Sequence, residues 1–174
     1  MVAQPNAQVV RLGVLGHGVV GSAFVKLVTQ QSDQILARSG VRLEVTKVCV
    51  RDAKKKHNLP KGAVLVTDSN GLVQSADVDL VVELMGGIEP ALKLISESLG
   101  KHKPVVTANK ALLAKHGVEL FAAADAASTD LLFEAAVCGG IPLIRPLRES
   151  LRGEPISRVM GIVNGTTNFI LTKM

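Results

Sequence analysis

The spacing of apolar runs and glycines in this chain predicts an α/β fold built on a doubly wound parallel sheet. From Val9 to Glu134, short apolar runs alternate with stretches whose apolar residues recur at helical spacing, as strands joined by helical crossovers require. One glycine-rich segment, Gly16-His17-Gly18-Val19-Val20-Gly21, fits G-x-G-x-x-G and falls between such a strand and such a helix. After Glu134 the pattern changes, and a fresh run and a helix-like stretch carry the chain to Met174. The expected division is therefore 1–134, a dinucleotide-binding domain, and 135–174, a hinge and the truncated beginning of a second α+β domain.

Taken in order, residues 1–8 read as a frayed arm. Val9–Leu15 (VVRLGVL) is short and mostly apolar, as a strand buried on both faces should be. In the glycine segment, Gly16 permits a tight turn, Gly18 lets backbone approach a pyrophosphate, and Gly21 lets the helix pack closely on the strand. Val20, Phe24 and Val28, widened by Val25 and Leu27, predict a helix from Val19 to Ala37 that Gly40 stops. Leu43–Val50 is the second strand, with β-branched Val45, Thr46, Val48 and Val50. A polar loop, Asp52–Gly62, leads to a third strand at Val64–Val66, and Asp68 or Ser69 can cap a short helix to Ser75. Asp79–Leu84 is the fourth strand, ending in Gly86-Gly87. Pro90 suits the first turn of a helix that buries Ala91, Ile95 and Leu99. Pro104–Thr107 is the fifth strand; Asn109 caps a helix through Lys115, a further helix runs from Val118 to Ala127, and Leu131–Glu134 is the sixth strand. Beyond it, a helix is expected from Pro142 to Leu151, a strand from Ile156 to Val163, and a helix within NFILTKM.

Composition narrows the function. The 174 residues are 47% apolar with a net charge of +5, enough for a globular core. No apolar run reaches the ~20 residues of a membrane helix, and MVAQPNAQ has neither the charged start nor the apolar stretch of a secretory signal. Cys49 and Cys138 form no metal or disulfide pattern, which suits a reducing cytoplasm. Tyr and Trp are absent and Phe occurs four times, so there is no aromatic platform for single-stranded nucleic acid. The moderate basicity fits an anionic small molecule.

In a parallel sheet of this kind, ligands lie beyond the carboxyl ends of the strands. Those ends carry Gly16–Gly21, Arg51, Leu84–Gly87, Ala108–Lys110 and Glu134–Gly140. Arg51 stands where an NAD-preferring domain usually has an acid for the ribose 2′-OH; a guanidinium there grips a 2′-phosphate bidentately. Asp52 could serve a ribose instead, and Lys54, Lys55 and Lys56 taken singly read as a solvated basic loop. Lys110, in a helix's first turn, opposes the helix dipole, so an anionic cofactor or substrate explains it better than structure does. Glu134, at the end of an apolar strand, needs a partner. It could ligate a hard cation with backbone carbonyls, act as an acid or base, or accept from nearby N–H groups. Glu83 could line the crevice or brace its loop. Cys138 could be an acyl-forming nucleophile, but no histidine lies near it in sequence, so a small buried thiol is the better reading. His17, His57, His102 and His116 are scattered.

Four segments, VVELMGGIEP (81–90), VVTANKALLA (105–114), FEAAVCGGIPLIRPLRESL (133–151) and VMGIVNGTTNFIL (159–171), together resemble homoserine dehydrogenase from Leu12 to Met174. The resemblance implies NAD(P)H-dependent interconversion of aspartate 4-semialdehyde and homoserine, on the route to threonine and methionine. It implies that Gly16, Gly18, Val19, Val20 and Gly21 hold the cofactor, that Arg51 favours NADP(H), and that Lys110 serves the cofactor and the reaction centre. It implies a monovalent cation, Na+ or K+, held by the Glu134 side chain and the carbonyls of Val137, Gly139 and Ile141. Gly165 and Thr166 match the start of the substrate pocket, and Cys138 matches a position usually filled by a small residue. The family's proton-donating lysine and its dimer-forming mixed sheet lie beyond Met174, so the expectation is a fragment of a homodimeric enzyme that binds cofactor without turnover. An acylating semialdehyde dehydrogenase using Cys138, or a non-catalytic cofactor-binding module, are the alternatives.

Overall fold

The computed structural model describes residues 7–161 and 165–174, with only the backbone described at Thr166 and Thr167. Six strands form one all-parallel sheet in the order β3-β2-β1-β4-β5-β6. They are β1 (Gln8–Leu15), β2 (Val41–Cys49), β3 (Val64–Val66), β4 (Leu80–Glu83), β5 (Val105–Thr107) and β6 (Leu131–Leu132). The helices are α1 (Val19–Gln30), α2 (Ser32–Ser39), α3 (Ser69–Gln74), α4 (Ala91–Gly100), α5 (Lys110–Ala126) and α6 (Gly165–Lys173). This is the doubly wound arrangement that the alternation predicted. Of the arm expected at 1–8, residues 1–6 lie outside the described residues, and Gln8 already pairs with Val41 in β1.

Neighbouring strand residues point to opposite faces, and both faces are covered. Leu12, Val14, Val48 and Val82 pack with Val25 and Val28 of α1 on one face. Leu15, Val81 and Val105 pack on the other with Leu72 of α3, Ile95 and Leu99 of α4, and Leu112 and Leu120 of α5. Across the foot of the sheet, Arg11 donates to both carboxylate oxygens of Asp79, at 2.8 and 2.6 Å, and ties β1 to the start of β4.

The structure corrects the expected elements in four places. The first helix is two: Gln31 leaves helical geometry, and α2 packs against β2 before Gly40 closes it in a left-handed conformation. The polar run Gln30–Asp33 is compatible with a continuous helix, so only the docking of α2 on β2 selects the break. The two helices expected from Asn109 to Ala127 are one, and Gly117 is buried inside α5. A mid-helix glycine costs about 1 kcal/mol, which burial along the remaining turns offsets. The helix expected at Pro142–Leu151 is a helical turn over 144–150, ending in π-type geometry at Pro146–Ser150. The strand expected at Ile156–Val163 is irregular through 156–161, with 162–164 outside the described residues. A strand exists only against a ladder partner, and among the described residues none pairs with that stretch.

Candidate functional site

The glycine loop sits where the sheet's winding reverses, since β1 has β2 on one side and β4 on the other. Gly16 adopts φ +99° and its N–H donates to the Cys49 carbonyl at 3.0 Å. A Cβ on Gly16 would stand 2.9 Å from the backbone carbon and oxygen of Leu84, and one on Gly21 would collide with the Gly16 carbonyl oxygen. Both glycines are therefore set by close approach of backbone to backbone. Gly18 differs: nothing lies within 4 Å of a Cβ built there. Val19 and Val20 are 89% and 58% exposed, no side chain caps α1, and its first turn carries no acid. The helix thus offers unclaimed N–H groups and the positive end of its dipole to solvent, as an anion site needs.

A buried hydrogen-bond chain fixes the neighbouring loops. Glu83 is fully buried; its Oε1 accepts from the N–H groups of Met85 and Gly86 at 2.9 and 3.0 Å. Its Oε2 accepts from the Thr107 hydroxyl at 2.6 Å. Thr107 Oγ1 in turn accepts from the Asn109 N–H, and Asn109 donates through Nδ2 to the Gly87 carbonyl at 2.6 Å while its Oδ1 caps α5 at Leu112. Of the two roles open to Glu83, the structure realises the bracing one. The chain locks the loops after β4 and β5 together and sets the first residue of α5, Lys110, which is exposed at the same edge of the sheet.

Arg51 follows β2 with its side chain exposed. The exposed Asp52 carboxylate accepts through Oδ1 from the Lys54 N–H at 3.0 Å and turns its own loop. The loop then folds back on the glycine loop, where His57 meets His17. A cavity of about 730 Å³ lies beside them, lined among others by Gly18, Ser22, Lys26, Lys55 and Lys56. The four histidines looked scattered in sequence, and this meeting carries no signal there, since forty residues separate the pair.

Glu134 is not in β6 but in a single 3-10 turn after it. Its Oε1 accepts from Leu143 and Ile144 N–H at 2.6 and 3.0 Å, and its Oε2 from Arg145 N–H at 2.8 Å. Of the three roles left open for this carboxylate, the acceptor role is present. These amides, Leu143 first, hold its carboxyl below the usual carboxylate range. A carboxylate oxygen can accept two hydrogen bonds, and Oε2 accepts one. The loop beyond supplies two successive left-handed residues, Cys138 at φ +57° and Gly139 at +60°, and Ile141 is 68% exposed. Among the described residues no histidine bonds Cys138: His17 bonds His57, His102 bonds the Ala127 carbonyl, and His116 faces Glu119. Between β2 and β6 lie four strand spacings, about 19 Å, so Arg51 and Glu134 lie at opposite ends of the edge. Gly165 opens α6; the side chain of Thr166 lies outside the described residues.

A parallel sheet ordered 3-2-1-4-5-6, with a glycine loop opening a helix at the reversal point, defines a dinucleotide-binding domain of the Rossmann class. The family model described as homoserine dehydrogenase, NAD binding domain, matches residues 16–134, and that described as homoserine dehydrogenase matches 142–174. The chain belongs to the homoserine dehydrogenase family. It is similar to the homoserine dehydrogenase of Bacillus subtilis, with 46% identity over 95% of this chain and 38% of that one. With that of Corynebacterium glutamicum it shares 48% identity over 95% of this chain and 37% of the other. Its fold is similar to the crystal structure of a homoserine dehydrogenase from Thiobacillus denitrificans, with TM-score 0.88, 42% identity, and 96% of this chain against 39% of that one covered. A hyperthermophilic archaeal homoserine dehydrogenase in complex with NADPH aligns with TM-score 0.79 and 29% identity over 95% of this chain and 56% of the other. The chain thus spans 37–38% of the length of these two curated relatives. No described helix is long and apolar enough to cross a membrane.

Proposed function

We propose that this chain holds NADP(H), in preference to NAD(H), for the interconversion of L-aspartate 4-semialdehyde and L-homoserine. The observation that carries the reading is the open glycine loop at the reversal point, with uncapped α1 amides and an exposed Arg51 beside it. Gly16, Gly18, Val19, Val20 and Gly21 cradle the pyrophosphate, and Arg51 takes the 2′-phosphate. The nicotinamide supplies or accepts the hydride. Lys110, held at the end of β5 by the Glu83–Thr107–Asn109 chain, orients the reacting end. Residues 1–134 form the cofactor domain and 135–174 the passage to the substrate domain, with Gly165 and Thr166 at the substrate. The spare direction on Glu134 Oε2, with the carbonyls of Val137, Gly139 and Ile141, suits a monovalent cation: one charge and neutral oxygens match Na+ or K+. Homodimeric assembly, a cytoplasmic setting, and a place in threonine and methionine synthesis complete the reading.

Cofactor titration followed by nicotinamide fluorescence tests it. Arg51→Ala should weaken NADPH roughly ten-fold or more and leave NADH nearly unchanged, as loss of one charge-assisted contact dictates. Equal losses for both cofactors would overturn the preference, and no binding of either would overturn the site. With aspartate 4-semialdehyde added, the 174 residues should bind NADPH without oxidising it at an ordinary enzymatic rate of ~1–10³ s⁻¹; turnover at such a rate would place the whole chemistry within them.

A further inference from the structure

His17 Nδ1 lies 3.1 Å from His57 Nδ1, the ring centroids 5.2 Å apart in an edge-on contact. His57 Nε2 lies 3.1 Å from the Asp52 carbonyl oxygen. A carbonyl only accepts, so His57 Nε2 carries a hydrogen and donates it. In the neutral pair His57 Nδ1 is then bare, and the hydrogen between the rings belongs to His17 Nδ1. His17 Nε2 is left as a lone pair, buried and without a partner among the described residues.

A further proton has one place to go while both hydrogen bonds persist, and that place is His17 Nε2. There it would make a buried N–H with no acceptor on a charged ring. Lys26 of α1 and Lys55 and Lys56 of the loop line the cavity beside the pair, and Arg51 stands at the loop's start. The one carboxylate of the loop, Asp52, is turned onto the Lys54 N–H. Burial first, and His57 second, hold His17 below the ordinary histidine value of 6.5.

We propose that His17 and His57 form a proton-sensitive clasp that seats the basic loop 52–60 on the glycine loop and so presents the loop's cations to an anionic dinucleotide. The cofactor half of this statement rests on the function proposed above; the clasp itself does not. The clasp is closed with both rings neutral. It loosens as pH falls, because the pair can take a further proton without losing the His17–His57 contact only at buried His17 Nε2, where the new N–H finds no acceptor among the described residues.

Tryptic cleavage after Lys54, Lys55 and Lys56 in the cofactor-free chain reads the clasp, each variant being compared with the parent at the same pH so that the protease's own profile cancels. At pH 8, His17→Ala should be cut roughly five- to ten-fold faster than the parent, the population change that one lost hydrogen bond allows. At pH 5.5 the ratio should be smaller than at pH 8. His17→Asn provides the sharper test. Its amide can donate to His57 Nδ1 or, turned over, accept from it, so the loop should stay protected at both pH values and be cut more slowly than the parent at pH 5.5. His57→Ala, in the loop and away from the glycines, should repeat His17→Ala should that variant fold poorly. Equal cleavage of the parent and the alanine variants at pH 8, or a His17→Asn chain as sensitive as the parent at pH 5.5, would overturn the clasp. At pH 8 the alanine variants should also bind NADPH about five-fold more weakly. A parent that binds no dinucleotide would overturn the cofactor reading while leaving the cleavage result to judge the clasp.

Discussion

In the sheet unit, residues 8–132, Leu15, Ile95, Leu99, Leu112 and Leu120 are 0% exposed, whereas Val159, Met160, Phe169 and Leu171 in the following segment stand 59%, 82%, 65% and 64% exposed. Both stretches are apolar, so hydrophobic composition alone does not decide what is buried. Each helix of the sheet unit has a strand face to lie on, and each strand has ladder partners. The helical turn at 144–150 is only partly buried, and its start is held by the Glu134 carboxylate on three amides. One region is held by area removed from water, the other by a few directional hydrogen bonds, and the two should fail differently.

The largest break should come from the core. Leu99→Ala leaves a cavity between α4 and the sheet and should cost about 2–5 kcal/mol in urea or thermal unfolding. Glu83→Ala should cost about 2–4 kcal/mol, because the Thr107 hydroxyl and two amides lose a buried acceptor; Glu83→Gln, which keeps an acceptor for the amides, should cost less. An unchanged melting curve for Glu83→Ala would mean that water replaces the carboxylate.

The Glu134 anchor should be local and pH-dependent. Its carboxyl is held below the usual range, so its contribution is complete above about pH 4.5 and is lost as pH falls through its lowered folded value. Hydrogen exchange at Leu143, Ile144 and Arg145 should therefore quicken in acid, and in Glu134→Ala at every pH, with little change in the melting of the sheet. Loss of the whole sheet in that variant would erase the distinction between the two regions. The smallest effect is expected at the exposed face: Phe169→Ser or Leu171→Ser should shift unfolding by no more than about 0.5 kcal/mol. A shift approaching that of Leu99→Ala, dependent on protein concentration, would show these residues buried against a second copy in solution.

Local signals were legible where their cause is local. Gly16 and Gly21 announce close backbone approach because no other residue fits, and Asp68 and Asn109 cap α3 and α5 because short polar side chains reach amides three residues on. The break at Gln31, the passage of α5 through Gly117 and the irregular backbone at 156–161 were not legible, since neighbouring layers or a missing ladder partner decide each one.

The amino-acid sequence by itself determined the alternation of strand and helix, the winding class and the glycine loop, because period and glycine placement act within a few residues; the family resemblance rested on four whole segments, 81–90, 105–114, 133–151 and 159–171. Only the tertiary structure decided what the polar groups do. It turned Glu83 inward onto Thr107, gave Glu134 three amides, and brought His17 to His57. A buried polar atom takes whichever partner lies within about 3 Å, and that distance is set by how distant segments pack, which no spacing along the chain records.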